Sequence, residues 1–355
     1  MLTRTVLSLV CLASLSCAST TSPATSTSST APRSIIFLIA DGAGAAHFTV
    51  AKMLRGDDFQ TGRLPYTGLV ATSPLDDSIV TDSASAATAF ATGVRVRYTA
   101  LSMDAAGNRL PTALQAAEKL SKSTGLITTA NFWDATPAAF AAHAPTRYET
   151  DLIVDQMLAS GTEIIVGGGL SRFGKEGRPT IDQLAGGAGY GLARTAGELD
   201  TVKGDRVLAV FETQPQEIDF PEIRLPALTR WALNRLSPDP EGFFLVVEQE
   251  GTDGASHANH TQKFIDSMIS FDEAVGIALD FAAARNDVLL IVAADHECGG
   301  LQIHREKGTE MELVWATKAH TGEAVPVFAY GPGAEQFIGL MNGEDLGRKL
   351  IGLIR

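Results

Sequence analysis

The segment EQEGTDGASHANH crowds Glu248, Glu250, Asp253, His257 and His260 into thirteen residues. Carboxylate oxygens mixed with imidazole nitrogens form the donor set of a divalent-metal site. Asp253 and His257 are four residues apart, so one helical turn would aim both at the same ion. Glu248 and Glu250 share a strand face, and alternation alone does not choose between them. Similar groups follow other apolar runs: Asp41 in ADGAG, Asp134 and Thr136 in NFWDATP, Asp295 and His296 in ADHECGG, and His320 in KAHTGEAVP. A dinucleotide fingerprint at Asp41 is disfavoured, because His47 occupies the position of its third glycine or alanine.

Two further residues direct this chemistry toward phosphate. Ser83 begins a small-residue helix, TDSASAATAFATG, capped by Asp82 or Ser83. Free N–H groups and the helix dipole favour an anion there. Serine needs a base or a metal to become a nucleophile. No G-x-S-x-G elbow surrounds Ser83, which leaves metal activation as the better route. Arg147 carries a planar fork that suits two phosphate oxygens. Ser83, Arg147 and the Asp and His groups together make a phosphoryl-transfer set.

The elements that must position these residues read as an α/β fold. Near-continuous apolar runs at 34–40, 124–130, 163–168, 206–211, 242–248, 287–294 and 325–331 predict strands buried on both faces. Helical patterns at 44–55, 83–92, 111–121, 148–159, 227–236, 258–284 and 341–353 alternate with them. The expectation is a three-layer α/β/α sandwich with a largely parallel sheet, in one domain without internal repeats. The candidate residues then lie just past strand carboxyl ends, where such sheets bind ligands. The glycine-rich region 167–191 has weak periodicity and reads as a loop or small insertion.

Arg4 precedes an apolar run at 6–15, too short to span a bilayer but suited to a signal-peptide core. The expected organisation is a signal peptide at 1–18, a Ser/Thr-rich linker at 19–33 and a catalytic domain at 34–355. Cleavage before Cys17 would leave a cysteine for lipid attachment to a membrane, although Ser14 stands where a leucine is usual. Cleavage after Ala18 would release a soluble protein. Either route predicts export, as a periplasmic or outer-membrane-anchored lipoprotein or as a secreted protein. Cys298 is then the single cysteine of the folded part, which leaves no intramolecular disulfide. A net charge of −13 argues against a general nucleic-acid-binding surface. It also requires metal ions or focused arginines around any bound phosphate.

Taken in order along the chain, these motifs resemble the metal-dependent alkaline phosphatases. IADGAG is similar to the first metal motif, TDSASAATAFATGV to the nucleophile motif, and DATPAAFAAHAPTR to the magnesium and arginine segment. ADHECGG and HTGEAVPVFAYGPG resemble the later metal motifs, so the resemblance spans nearly all of 34–354. It implies a phosphate monoesterase that works through a phosphoserine on Ser83 with two Zn²⁺ and one Mg²⁺. Asp253, His257 and His320 would hold one zinc, and Asp41, Asp295 and His296 the other. Asp41, Thr136 and Glu248 would hold the magnesium, with Asp134 near its waters, and Arg147 would clamp phosphate. The family spacing selects Glu248 over Glu250 and leaves His47, His143, His260 and His304 without a ligand role.

Departures from the family pattern are Ala40 and Ala43 beside Asp41, Gly254 after Asp253, and RVRYTALSMD at 95–104. The last of these bears on substrate access. The short chain also implies reduced surface insertions, including those used in dimer contacts, which leaves a homodimer open. The competing readings are a phosphodiesterase or sulfatase-like hydrolase on the same scaffold, or a non-catalytic secreted metal- and phosphate-binding protein.

Overall fold

β1 (Ser34–Ala40) runs through the middle of a ten-stranded sheet, and all seven of its residues are buried. The computed structural model describes residues 31–175, 177–212, 219, 220, 222–305 and 311–355. The leader and most of the Ser/Thr stretch therefore lie outside the described residues. The remaining strands are β2 (Tyr66–Ala71), β3 (Ser123–Asn131), β4 (Ile164–Gly168), β5 (Gly191–Ala193), β6 (Val207–Val210), β7 (Phe243–Gln249) and β8 (Val288–Ala293). They are followed by β9 (Glu297–Cys298), β10 (Leu301–His304), β11 (Glu312–Trp315), β12 (His320–Thr321), β13 (Val325–Tyr330) and β14 (Gly339–Asn342). The main sheet has the order β14-β2-β13-β8-β1-β7-β3-β4-β6-β5, with only β13 antiparallel to its neighbours. β9 pairs with β12 and β10 with β11 in two small ribbons.

The helices are α1 (Ala45–Arg55), α2 (Ser83–Thr92), α3 (Ala113–Glu118), α4 (Ala135–Ala141), α5 (Thr150–Ala159) and α6 (Ile181–Ala188). After them come α7 (Ala196–Leu199), α8 (Leu225–Leu236), α9 (Gly251–His257), α10 (Thr261–Ala283) and α11 (Gly343–Leu353). α2, α3, α4 and α11 pack together on one side of the sheet, and α8 and α10 pack against β1, β3, β7 and β8 and against each other. This is the expected three-layer arrangement. Helices on both faces remove the strands from water, which is why they read as unbroken apolar runs.

Four phenylalanines fasten α2 to the sheet. Phe37 of β1 meets Phe90 of α2 at 5.8 Å and Phe140 of α4 at 6.4 Å between ring centroids. Phe140 in turn meets Phe244 of β7 at 6.0 Å. Otherwise α2 is made of small residues, and all ten are buried between α4 and α11. The approach is so close that a Cβ added at Gly347 of α11 would lie 2.2 Å from the Ala89 carbonyl oxygen.

The fold contains elements that the sequence did not announce, among them the short helices α4, α7 and α9 and the ribbons β9–β12. β2, β5 and β14 were not anticipated; β2 and β14 lie at a sheet edge where exposed and buried residues mix, and β5 has only three residues. The region 167–191 is more than a loop, since Thr180 forms a capping box that starts α6. The helix expected at 258–284 is α10, which starts three residues late, and a short α9 precedes it, separated by Asn259 at φ 55°.

Candidate active site

The carboxyl ends of β1, β3, β7 and β8 bring Asp41, Asp134, Glu248 and Asp295 to one edge of the sheet. Asp41 directly follows β1 and is buried, while Asp295 lies two residues beyond β8 with its side chain fully buried. Gly42 N–H and His296 N–H both donate to Asp295 Oδ1, at 3.1 and 3.0 Å. This leaves Asp295 Oδ2 without a hydrogen bond, 3.3 Å from His296 Nε2. Asp41 Oδ1 is equally unpartnered and lies 3.2 Å from the same nitrogen. The Ser83 hydroxyl approaches that nitrogen to 3.2 Å. One imidazole nitrogen, two orphaned carboxylate oxygens and the serine hydroxyl therefore converge.

A second cluster adjoins the first. His257 and Asp253 occupy the same turn of α9, with Nε2 3.3 Å from Asp253 Oδ2, as the four-residue spacing anticipates. His320 Nε2 lies 3.5 Å from Asp253 Oδ1. Each ring commits its Nδ1–H to a carbonyl, His257 to Lys318 at 2.7 Å and His320 to Thr81 at 2.9 Å. A carbonyl only accepts, so in the neutral rings the two Nε2 lone pairs face each other at 3.0 Å. Acceptors gathered without a donor between them fit a cation, and the carbonyl contacts orient the rings for it. The buried Cys298 thiol belongs to this cluster too, a residue to which the sequence reading gave no part. Donor atoms of Asp253, His257, Cys298 and His320 lie within 4.8 Å of one another, as do those of Asp41, Asp295 and His296.

Gly42 lets the two clusters meet. Its φ is 72°, and a Cβ there would lie 2.7 Å from Asp253 Oδ1. Only glycine combines that backbone with so close an approach.

The third group is centred on Glu248, the buried sixth residue of β7. Its Oε2 accepts from the Thr128 hydroxyl across the β3–β7 register. Thr136, in the first turn of α4, is buried with its hydroxyl unpartnered. Burial pushes the Glu248 carboxyl up to about 7 against the hydrogen bond from Thr128. Glu250 does not continue the strand but stands at the N-cap of α9, where burial, then Asp134 and Asp253, push it up to about 8. Asp41 is raised by burial and by Asp295, Asp253, Glu248 and Glu250. These shifts record a concentration of negative charge that divalent ions would relieve. Asp253 moves the opposite way despite its burial, because without a metal a proton on His257 or His320 turns Nε2 into a donor to its carboxylate.

Ser83 heads α2, and Asp82 is the cap, its Oδ1 accepting from Ser85 N–H at 3.1 Å. The other Asp82 oxygen faces Arg147 Nη1 at 3.4 Å, and Asp134 Oδ1 accepts from Arg147 Nη2 at 2.7 Å. Burial opposes the guanidinium charge, but Asp134 and Asp82 outweigh it and hold Arg147 protonated. The Asp82 contact, between residues 65 apart in the chain, was not legible in the sequence. Ser83, Arg147, Asp134, Glu250, Asp253 and His320 all line one open cavity of about 490 Å³. The other histidines lie outside these clusters. His47 meets Ser256 Oγ at 3.2 Å, His143 donates to the Leu110 carbonyl at 2.9 Å, His260 accepts from Lys263 N–H, and His304 pairs with Gln302.

A family model for alkaline phosphatase matches residues 32–314. Alkaline phosphatase 4 of Bacillus subtilis is 28% identical over 400 residues, covering 88% of this chain and 87% of its own. Streptomycin-6-phosphate phosphatase of Streptomyces griseus is 31% identical, covering 92% of this chain and 91% of its own. A mutant of the TAB5 alkaline phosphatase, with Mg bound in its M3 site, superimposes with a TM-score of 0.81. It is 29% identical and covers 91% of this chain and 98% of its own. The family match thus extends over Ser83, Arg147 and every member of the acidic clusters except His320, and this chain belongs to the alkaline phosphatase family.

Proposed function

We propose that the chain hydrolyses phosphate monoesters through a phosphoserine on Ser83. The observation that carries this reading is the Ser83 hydroxyl at the head of α2, 3.2 Å from His296 Nε2 and lining one cavity with Arg147. The orphaned oxygens of Asp41, Asp253 and Asp295 and the paired lone pairs of His257 and His320 support a metal-dependent enzyme.

In the finer assignment, Asp253, His257 and His320 hold one zinc, and Asp41, Asp295 and His296 the other. Asp41, Thr136 and Glu248 would hold magnesium, with Asp134 nearby. Bound there, the ions supply Lewis acidity that lowers a hydroxyl pKa and neutralises charge on the reacting oxygens. Ser83 Oγ loses its proton and bonds to phosphorus as the ester oxygen leaves as an alcohol. Water then cleaves the phosphoserine, restores the Ser83 hydroxyl and releases inorganic phosphate. Arg147 and the N–H groups at the head of α2 hold the non-bridging oxygens, where charge must be stabilised. Three carboxylates around Arg147, those of Asp82, Asp134 and Asp41, keep its charge in place between turnovers.

The test compares matched phosphate monoesters, phosphate diesters and sulfate esters with Zn²⁺ and Mg²⁺ present, then after chelation. Turnover of the monoester, lost on chelation and restored by the metals, is the expected result. Preferential diester or sulfate turnover would transfer the site to another hydrolase class, and metal-independent turnover would remove the metals from the reaction.

Export belongs to the same proposal and rests on Arg4 and the apolar run at 6–15. The mass of the mature N-terminus in a bacterial host distinguishes a lipid-modified Cys17 from a start at Ser19. An unprocessed chain retained in the cytoplasm would refute export.

A further inference from the structure

Two of the chain's five tyrosines, Tyr98 and Tyr148, line the cavity that contains Ser83. Neither ring is committed to the core, since Tyr148 is 75% exposed and Tyr98 is 44% exposed. Large apolar rings left in water at the wall of a binding cavity suit an apolar part of a ligand.

Their placement is tied to the phosphate-binding residues. Leu101 and Ala144 exchange backbone hydrogen bonds, and Arg147 N–H donates to the Thr99 carbonyl at 2.8 Å. The segment carrying Tyr98 therefore runs beside the segment carrying Tyr148, and Tyr148 directly follows Arg147. The backbone of Tyr98 is held by Asp76, to which its N–H donates at 2.8 Å. Thr99 adopts φ 66°, a left-handed conformation that is costly for a β-branched residue. Its N–H donates at 3.1 Å to Asp82, the residue that also caps α2 and faces Arg147. Strain at this position is compensated by a contact that fixes the tyrosine segment to the nucleophile helix.

We propose that Tyr98 and Tyr148 bracket the leaving group of the ester, selecting phosphate monoesters of flat aromatic alcohols over those of small aliphatic alcohols. This rests on the phosphomonoesterase reading, because it concerns what is attached to the phosphate. The rings do the work through their faces rather than their hydroxyls. Phenylalanine should therefore replace either tyrosine, and alanine should not.

The experiment measures kcat/KM for 1-naphthyl phosphate and glycerol 1-phosphate in the metal-loaded wild type, Tyr98→Ala, Tyr148→Ala, the double alanine variant and both phenylalanine variants. Because aryl esters are intrinsically more reactive, the ratio of the two values is compared between variants rather than read alone. The double alanine variant should lower that ratio by about tenfold, mainly through KM for the naphthyl ester. The phenylalanine variants should keep it. A ratio unchanged in the double variant, or an equal fall for both substrates, overturns the bracket.

Phenylphosphonate and methylphosphonate binding, measured by calorimetry on the same proteins, separates this proposal from the activity on which it rests. If the wild type hydrolyses neither ester, the monoesterase reading fails, and the bracket is still decided. Tighter phenylphosphonate binding that is lost with both rings supports it, and equal affinities in the wild type overturn it.

Discussion

His296 Nε2 stands 3.2 Å from Ser83 Oγ while its own ring stacks on His320 at 3.7 Å between centroids. The imidazole that touches the Ser83 hydroxyl is therefore packed against a member of the neighbouring acidic cluster. Burial lowers the His296 pKa, so the ring is neutral and can offer a lone pair at physiological pH. Ser83→Ala removes the hydroxyl and leaves every Asp, Glu and His of the acidic clusters in place. We expect kcat to fall by roughly three orders of magnitude or more. Zinc and magnesium content should stay close to wild type, and no acid-stable phosphoprotein should be trapped. Near-normal turnover in a metal-replete Ser83→Ala protein would eliminate the phosphoserine route.

Arg147 is held by Asp134 on one nitrogen and Asp82 on the other. Replacing it with alanine removes a planar guanidinium from the cavity wall and leaves both carboxylates without that counter-charge. Inhibition by inorganic phosphate should weaken by about tenfold or more in Arg147→Ala, with a smaller effect on kcat. Arg147→Lys should recover only part of this, because an ammonium cannot reproduce the two-nitrogen geometry. Steady-state inhibition measured with all three proteins decides the matter, and an unchanged inhibition constant would remove the arginine from phosphate binding.

The parts of this site that could be read from sequence were those set by local repeat. Asp253 and His257 share a face because a helical turn is near four residues, and β1, β7 and β8 are visible because burial on both faces makes them uniformly apolar. Glu250 was ambiguous for a physical reason: alternation holds only within a strand, and β7 ends at Gln249 before the backbone turns into α9. The grip of Asp82 on Arg147 and the entry of Cys298 into the cluster of Asp253, His257 and His320 depend on distant segments meeting, which no local period records. β2 and β14 were hidden because an edge lacks a continuous apolar signature.

The small residues of α2 were also legible, but their reason lies across the interface in α11. Gly347 leaves no room for a methyl group, which would press 2.2 Å from Ala89 O and 2.8 Å from Gly93 N. Backbone cannot rotate aside as a flexible side chain can, so Gly347→Ala must push the helices apart. We expect a loss of about 1–3 kcal/mol in denaturant unfolding. kcat should fall as well, since the displaced α2 carries Ser83. A variant as stable as wild type would show that the α2–α11 contact is not tight in solution.

Metal removal should make stability depend on pH with a definite sign. In the metal-free fold Glu248 is pushed up to about 7 and Glu250 to about 8, both chiefly by burial. An unfolded chain releases such protons near pH 4.3. Between those values the folded chain holds protons that the unfolded chain has lost, so stability falls as pH rises. His257 acts with the same sign: its hydrogen bond with Asp253 raises it to about 9, and the contribution present below pH 6.5 is lost as pH climbs through 9. Divalent ions replace those protons and gain affinity as the ligands deprotonate. The chelated protein should therefore lose more than about 5 °C in Tm between pH 5 and pH 9, and the gain on restoring Zn²⁺ and Mg²⁺ should be larger at pH 8 than at pH 5. Calorimetry of chelated and metal-restored samples across this range measures both quantities. A chelated Tm that is flat or rises with pH would mean that the acidic clusters do not hold excess protons in the folded state.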